Sequence, residues 1–231
     1  MSKVRDTTDR VGEHLAGDTR FDVALFTTTE AAAHLGVPAS TLRYWTKTRR
    51  LVHSLTPETP HGPSLPFIAV AEAQFLRGLR VAGLSLPAIA RGVEAIRREL
   101  GEYILVRDRI SHDGKSILVN LAETHDEPEW FHAASGQGGI AGIIEKSLQP
   151  ITWASDNWPQ RGRLTAYEGA DVIIDPRFMF GQPMVADRGV RVEDVAELFL
   201  AGDPIETVVE EFDVDRETVE AILRVYARRA A

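Results

Sequence analysis

Residues 27–45 read Thr-Thr-Thr-Glu-Ala-Ala-Ala-His-Leu-Gly-Val-Pro-Ala-Ser-Thr-Leu-Arg-Tyr-Trp, and the fold follows from how this stretch is parsed. A hydroxyl at Thr28 or Thr29 can cap a short helix that turns Ala31, Ala32 and Leu35 inward, and Gly36 supplies the left-handed residue that ends it. Pro38 suits the first turn of a second helix. Within that helix Leu42 and Trp45 are three apart and pack inward together, which leaves Thr41, Arg43, Tyr44 and Lys47 to meet a duplex. The pattern predicts a helix-turn-helix.

The chain has 231 residues and a net charge of −8, a sum that argues against nucleic acid until its distribution is considered. Bases outnumber acids over the first 100 residues, whereas residues 171–231 carry twice as many acids as bases. Between Pro38 and His53 stand Arg43, Lys47, Arg49 and Arg50 with no acid among them. Exposed charges act over about 8–10 Å at ordinary salt, so phosphate contact depends on such local clusters and not on the net sum. An acidic tail can therefore share a chain with a DNA-binding front.

No apolar run is long enough to span a bilayer and no export signal opens the chain, so a cytoplasmic protein is expected. The absence of cysteine excludes disulfides, thiolate metal sites and a cysteine nucleophile.

Outward from the decisive stretch, residues 1–25 read as a polar arm or a loosely docked helix. Leu51-Val52 and Leu65-Pro66-Phe67 flank the turn-rich Thr56–Pro63, which predicts a wing. Two amphipathic helices follow, from Ile68 to Val81 and from Leu86 to Leu100, parted by Ala82-Gly83. Over residues 26–100 this order is similar to the winged helix-turn-helix of the MerR family of transcription regulators. The residues that carry the likeness are Thr41-Leu42-Arg43-Tyr44-Trp45, Leu51-Val52, and Leu79-Arg80-Val81-Ala82-Gly83-Leu84-Ser85-Leu86-Pro87-Ala88-Ile89. The resemblance implies phosphate contacts from Arg43 and Tyr44, with Thr41 near the groove. At the wing the chain departs from the family, carrying His61-Gly62-Pro63-Ser64-Leu65-Pro66 where arginine and an aromatic pair are usual.

Residues 101–170 form a mixed β and loop region in this reading. Strands are expected at Tyr103–Val106 and Ser116–Leu121, joined by a hairpin through His112–Lys115, and again at Leu164–Tyr167 and Val172–Ile174. Ile140, Ile143, Ile144 and Leu148 predict a short helix, and residues 122–136 and 150–163 read as loops.

The acidic domain at 171–231 is expected to be trihelical, with helices at Val192–Leu200, around Ile205–Phe212 and around Val219–Tyr226. Displacing the first helix-turn-helix so that Ala32 falls on Val209 also lays Leu35 on Phe212, Val37 on Val214 and Leu42 on Val219. The inward pattern repeats, while Arg43 falls on Glu220. A carboxylate-rich recognition face repels phosphate, so this unit reads as a protein-binding or dimerising module.

Asp175-Pro176-Arg177, Phe180-Gly181-Gln182-Pro183, Gly189–Asp194, Ala201–Glu206 and Val219–Ile222 resemble the domain of unknown function number 433 of VapB-type antitoxins. Those antitoxins are encoded beside PIN-domain ribonuclease toxins. The resemblance implies a PIN-domain toxin partner. From charge type alone, Arg188, Arg191, Arg228 and Arg229 are candidates to meet its acidic metal site.

No Gly-x-Ser-x-Gly elbow, Walker loop or His-Glu-x-x-His is present, and no catalytic residue is expected. The glycine-rich Gly136–Gly142 follows no clear strand and reads as a loop leading into a helix. His125, His132, Asp126, Glu127 and Glu129 match no ligand framework, so no metal or cofactor is expected. The expected fold is mainly α with small β elements. The expected function is that of an antitoxin bound as a dimer to palindromic operator DNA, with DNA contacts from Thr41, Arg43, Tyr44, Lys47, Arg49 and Arg50. The alternative is a MerR-like one-component regulator that holds a small organic effector with Trp153 or Trp158.

Overall fold

The computed structural model describes residues 17–107 and 139–230. The predicted strand at Ser116–Leu121, its hairpin, and the histidines and acids of residues 125–132 lie outside the described residues. So do residues 1–16 of the expected polar arm. Its remainder forms one helical turn, α1 (Thr19–Asp22), which seats Phe21 in the core at 4% exposure.

The helix-turn-helix begins one residue earlier than the sequence suggests. Thr27, not Thr28 or Thr29, is the cap of α2 (Thr28–Leu35). Its hydroxyl accepts from the Glu30 amide at 3.2 Å, and its own amide donates to Glu30 Oε2 at 2.9 Å. This reciprocal pair satisfies two otherwise orphaned donors. Gly36 ends α2 in the left-handed conformation, φ 64°. Pro38 is itself the cap of α3 (Ala39–Arg43), which continues as a π-helical turn over Tyr44–Thr48. Leu42 and Trp45 are both fully buried, as their spacing requires.

The predicted wing departs from expectation. Residues 51–66 hold no strand; the loop is closed by the Leu55 amide donating to Ser64 O at 2.7 Å, and Leu65 pairs instead with Phe26. Prolines at 57, 60, 63 and 66 remove the donors that a two-stranded ladder would need.

Helices α4 (Phe67–Val81) and α5 (Leu86–Leu100) match the predicted pair, with Ser85 capping α5 through the Ala88 amide. The strand expected at Tyr103–Val106 is a 3-10 turn, Ile104–Val106. All three of its residues are buried rather than alternating, and Tyr103 is stacked on His53 at 4.2 Å. Helix α6 (Gly139–Leu148) packs along α4, where a Cβ on Gly78 would come 1.9 Å from Ser147 Oγ.

Five short strands then form an antiparallel meander in sequence order: β1 (Ile151–Trp153), β2 (Pro159–Arg163), β3 (Val172–Ile174), β4 (Met184–Val185) and β5 (Val190–Arg191). Two of them occupy residues that read as loop, and the strand expected at Leu164–Tyr167 is a turn in which the Tyr167 amide donates to Leu164 O. The sheet lies on α4, with Gly162 set against Phe67 and Ile174.

Helices α7 (Val192–Leu200), α8 (Ile205–Phe212) and α9 (Arg216–Ala230) close the chain. The displacement seen in the sequence holds in the backbone. It carries Thr28–Leu35 onto Ile205–Phe212, the start of α3 onto the start of α9, and left-handed Gly36 onto left-handed Asp213 at φ 50°. Val37 donates to Ala32 O at 3.0 Å, and Val214 donates to Val209 O at 3.3 Å. Helix α9 packs on α2, so one core runs through both helix-turn-helix units.

Candidate nucleic-acid interface and protein-binding domain

Helix α3 presents its predicted residues on the side away from the core. Arg43, Lys47, Arg49 and Arg50 are exposed, and Thr41 and Tyr44 are half-buried. Among the described residues, Arg43, Lys47 and Arg50 have no ion-pair partner. Their charge therefore faces solvent undiminished by a fixed carboxylate. Arg49 behaves differently: its Nε donates to the Tyr44 hydroxyl at 2.8 Å, and its guanidinium lies over the Tyr44 ring at 5.8 Å. That hydrogen bond raises the Arg49 pKa and fixes the two side chains as one unit.

The turn after α3 is held from below by residues to which sequence reasoning gives no role. Arg50 is left-handed at φ 50°, and Arg97 of α5 donates to its carbonyl at 2.7 Å and to Leu51 O at 2.8 Å. The same guanidinium reaches Glu72 Oε1 at 2.8 Å. Glu72 is fully buried in α4 and also accepts from the His53 amide and His53 Nδ1, each at 2.7 Å. The signal available in the sequence is a lone carboxylate in the apolar run Phe67–Leu76.

Burial of the His53 imidazole works against its charge, but the Glu72 carboxylate overcomes this, and its pKa lies above the usual histidine value. The ring stacks on Tyr103, which meets Phe21 and Trp158 edge to face at 5.3 and 6.0 Å. Trp158 is thus a packing residue under the basic turn, with Arg107 over its ring at 4.1 Å.

The C-terminal helices display the opposite charge. Glu197, Glu206, Glu210, Glu211, Asp213, Asp215 and Glu217 are exposed. Of the predicted arginines, Arg188 lies 3.0 Å from Asp213, and Arg191 is bonded to Asp194. Arg228 donates to Arg224 O at 3.1 Å near the end of α9, and the Arg229 side chain is outside the described residues. Arg188 and Arg191 are thus each matched to a neighbouring carboxylate. Arg191 also lines, with Glu30, His34, Phe180, Glu193 and Tyr226, a cavity of about 420 Å³ between α2 and the C-terminal helices.

Apolar surface is also displayed here. Phe178, Met179 and Phe180 are 50%, 44% and 92% exposed, and Leu200 is 70% exposed. Met179 and Phe180 both adopt left-handed backbone, φ 47° and 53°, which bulky side chains seldom do. Gly181 pins the turn from beneath, since a Cβ there would fall 2.7 Å from Leu25 Cδ1. The anchor upstream is Asp175, fully buried, which accepts from Arg177 Nε at 2.9 Å. Burial would raise its pKa, but the Arg177 bonds prevail and hold it below the ordinary carboxylate range.

Residues 24–92 match the family described as "Putative DNA-binding HTH domain", and residues 172–226 match "Protein of unknown function (DUF433)". The crystal structure of Rv2018 from Mycobacterium tuberculosis superposes with a TM-score of 0.76 at 31% identity, covering 88% of this chain and 99% of that one. A curated relative from Mycobacterium tuberculosis strain H37Rv, named "Putative antitoxin VapB45", is 31% identical over 90% of this chain and 99% of its own length. With a helix-turn-helix ahead of its acidic C-terminal domain and that identity along nearly the whole of the relative, the chain belongs to the VapB45 antitoxin family.

Proposed function

We propose that this protein is the antitoxin of a type II toxin–antitoxin pair, one that represses its own operon by binding operator DNA and neutralises a PIN-type ribonuclease. The observation that carries the first half is the exposed, unpaired charge of Arg43 and Lys47 on α3, the MerR-like recognition helix of a chain otherwise rich in acid. Thr41 and Tyr44 flank these residues toward the groove, and Arg49 and Arg50 extend the contact along the phosphate backbone. A single recognition helix buries too little surface for a specific site, so the DNA-bound form is a homodimer on a palindrome.

The C-terminal domain takes the toxin. Support comes from its apolar Phe178–Phe180 turn and from Arg188, Arg191, Arg228 and Arg229 as donors to a carboxylate-lined metal site. Arg188 and Arg191 pair with neighbouring acids at the surface, where water screens the attraction, so exchanging those acids for a toxin carboxylate carries little penalty. Co-expression with the adjacent open reading frame tests the proposal. The expected result is a co-purified complex in which ribonuclease activity is suppressed and the duplex upstream of the gene is retained. A ribonuclease-like neighbour that is neither bound nor inhibited overturns it.

One observation favours a second reading, a regulator that senses a small organic effector. The 420 Å³ cavity beside α2 falls within the size range of ligand sites. Its place differs from the tryptophan-lined site expected from sequence, because Trp158 is committed to packing. A metabolite that raises the melting temperature and changes operator affinity would support this alternative over the antitoxin.

A further inference from the structure

We infer that Glu72 and Arg97 act as positioning residues for the DNA-facing turn, so that the aim of Arg49 and Arg50 is set by a buried ion pair between α4 and α5. This rests on the DNA-binding reading and adds to it how the interface is held in place.

Taking a carboxylate and a guanidinium out of water is costly, and well-packed apolar residues in their place are often as stable or more so. A pair as deep as Glu72, at 0% exposure, with Arg97 beside it is thus weak evidence for stability, and what it orders becomes the informative feature. The hydrogen bonds of the pair converge on one segment. Arg97 takes the carbonyls of Arg50 and Leu51, and Glu72 takes the amide and ring of His53.

That segment needs such support. Arg50 is a non-glycine residue at φ 50°, a conformation that persists only where its surroundings over-determine it. It lies two residues beyond a π-helical turn, and the Leu51 and Val52 amides both return to the Trp45 carbonyl, at 2.7 and 3.4 Å. One carbonyl therefore closes the turn from above, and the ion pair fixes it from below. Arg97 has the fork geometry for the task, serving two carbonyls and a carboxylate at once, which a lysine ammonium on a flexible stem does not reproduce. No comparable clamp is needed for Arg43 and Lys47, which α3 itself positions.

The test is the paired substitution Glu72→Met with Arg97→Met, compared with wild type and with Arg43→Ala plus Lys47→Ala. The probe is a duplex of about 30 base pairs taken from immediately upstream of the gene, long enough for two half-sites one helical turn apart. The Met pair is expected to melt cooperatively, though below the wild-type temperature because the Arg50 and Leu51 carbonyls and the His53 amide lose their partners, to bind the duplex at least about 10-fold more weakly, and to lose about one to two from the salt slope as Arg49 and Arg50 disengage. Amide exchange in the free protein is expected to quicken at Leu51, Val52 and His53 alone.

Unchanged exchange at those three amides overturns the inference whatever the DNA result. If the Met pair binds as wild type does while the Arg43/Lys47 variant does not, the inference falls and the DNA-binding reading stands. If wild type itself fails to bind the duplex, both fall. Should the Met pair not fold, Arg97→Lys replaces it, with the same amides and the same salt slope as readouts.

Discussion

His34 Nδ1 lies 2.6 Å from the Tyr167 hydroxyl, both residues buried, and the contact joins the first helix of the helix-turn-helix to the turn that precedes β3. Tyr226 of α9 meets the same imidazole edge to face at 6.5 Å. The first helix-turn-helix thus shares a polar contact with the middle region and a ring contact with the C-terminal domain inside a common core, and no bare linker parts them. Tyr167→Phe is expected to destabilise the fold by about 1–3 kcal/mol, because it removes a buried hydroxyl from a paired ring nitrogen. For a chain of this size that is roughly 2–4 °C of melting temperature per kcal/mol. An unchanged melt would show the contact to be idle.

His53 makes stability depend on pH. Its folded pKa is raised above the unfolded value of about 6.5, so the folded state holds the proton more tightly. The stabilisation it gives is fully present below about pH 6.5 and is lost as pH rises through the elevated folded value. The groups facing it are Glu72 on α4, Arg97 on α5, and Glu102 and Tyr103 beyond α5, with Glu102 Oε1 3.2 Å from Nε2. Wild type is expected to lose melting temperature between about pH 6 and pH 8.5 by more than His53→Gln does. Parallel curves for the two proteins would count against the assignment.

Arg43→Ala with Lys47→Ala is expected to leave the melting temperature nearly unchanged, since exposed substitutions usually move stability by less than about 0.5 kcal/mol. Duplex affinity should fall and the salt slope should drop by about two, one for each phosphate that is no longer neutralised. Filter binding or anisotropy over a salt series reads both quantities. An unaltered slope would place the DNA-binding surface elsewhere.

Legibility in the sequence follows periodicity. The two helix-turn-helix units are readable because Leu35, Leu42 and Trp45, and the counterparts Phe212 and Val219, recur at spacings that an α-helix imposes on its inner face. Strands β1 and β2 are not, because Trp153, Pro159, Gly162 and Arg163 break the alternation that marks a strand and pairing supplies the order instead. The cationic residues of α3 are legible as a cluster without acids. Their support is not: Glu72 and Arg97 lie 25 positions apart, and only the packing of α4 on α5 brings them together.

Gly78→Ala tests the close approach of α4 and α6. The new methyl would meet Ser147 Oγ at 1.9 Å, Cβ at 2.4 Å and Cα at 3.0 Å, and the last of these belongs to backbone. In solvent such a change would favour the helix by about 0.5–1 kcal/mol. Here overpacking of about 1–3 kcal/mol should outweigh that gain. A rise in melting temperature would mean that α6 can move away from α4 at little expense.

Phe180→Gly separates the needs of the fold from those of a partner. The ring is 92% exposed, so its removal forfeits little buried area, and the left-handed backbone at φ 53° is one that glycine adopts without strain. The free protein should therefore melt at the same temperature or slightly higher, and operator binding through α3 should be untouched. If the Phe178–Phe180 turn is held open for the toxin, the same variant should release the co-expressed partner several-fold faster, because exposed aromatics supply much of an interface's energy. A loss of melting temperature would instead make Phe180 a folding residue, and undiminished capture of the partner would move the toxin surface to the arginines.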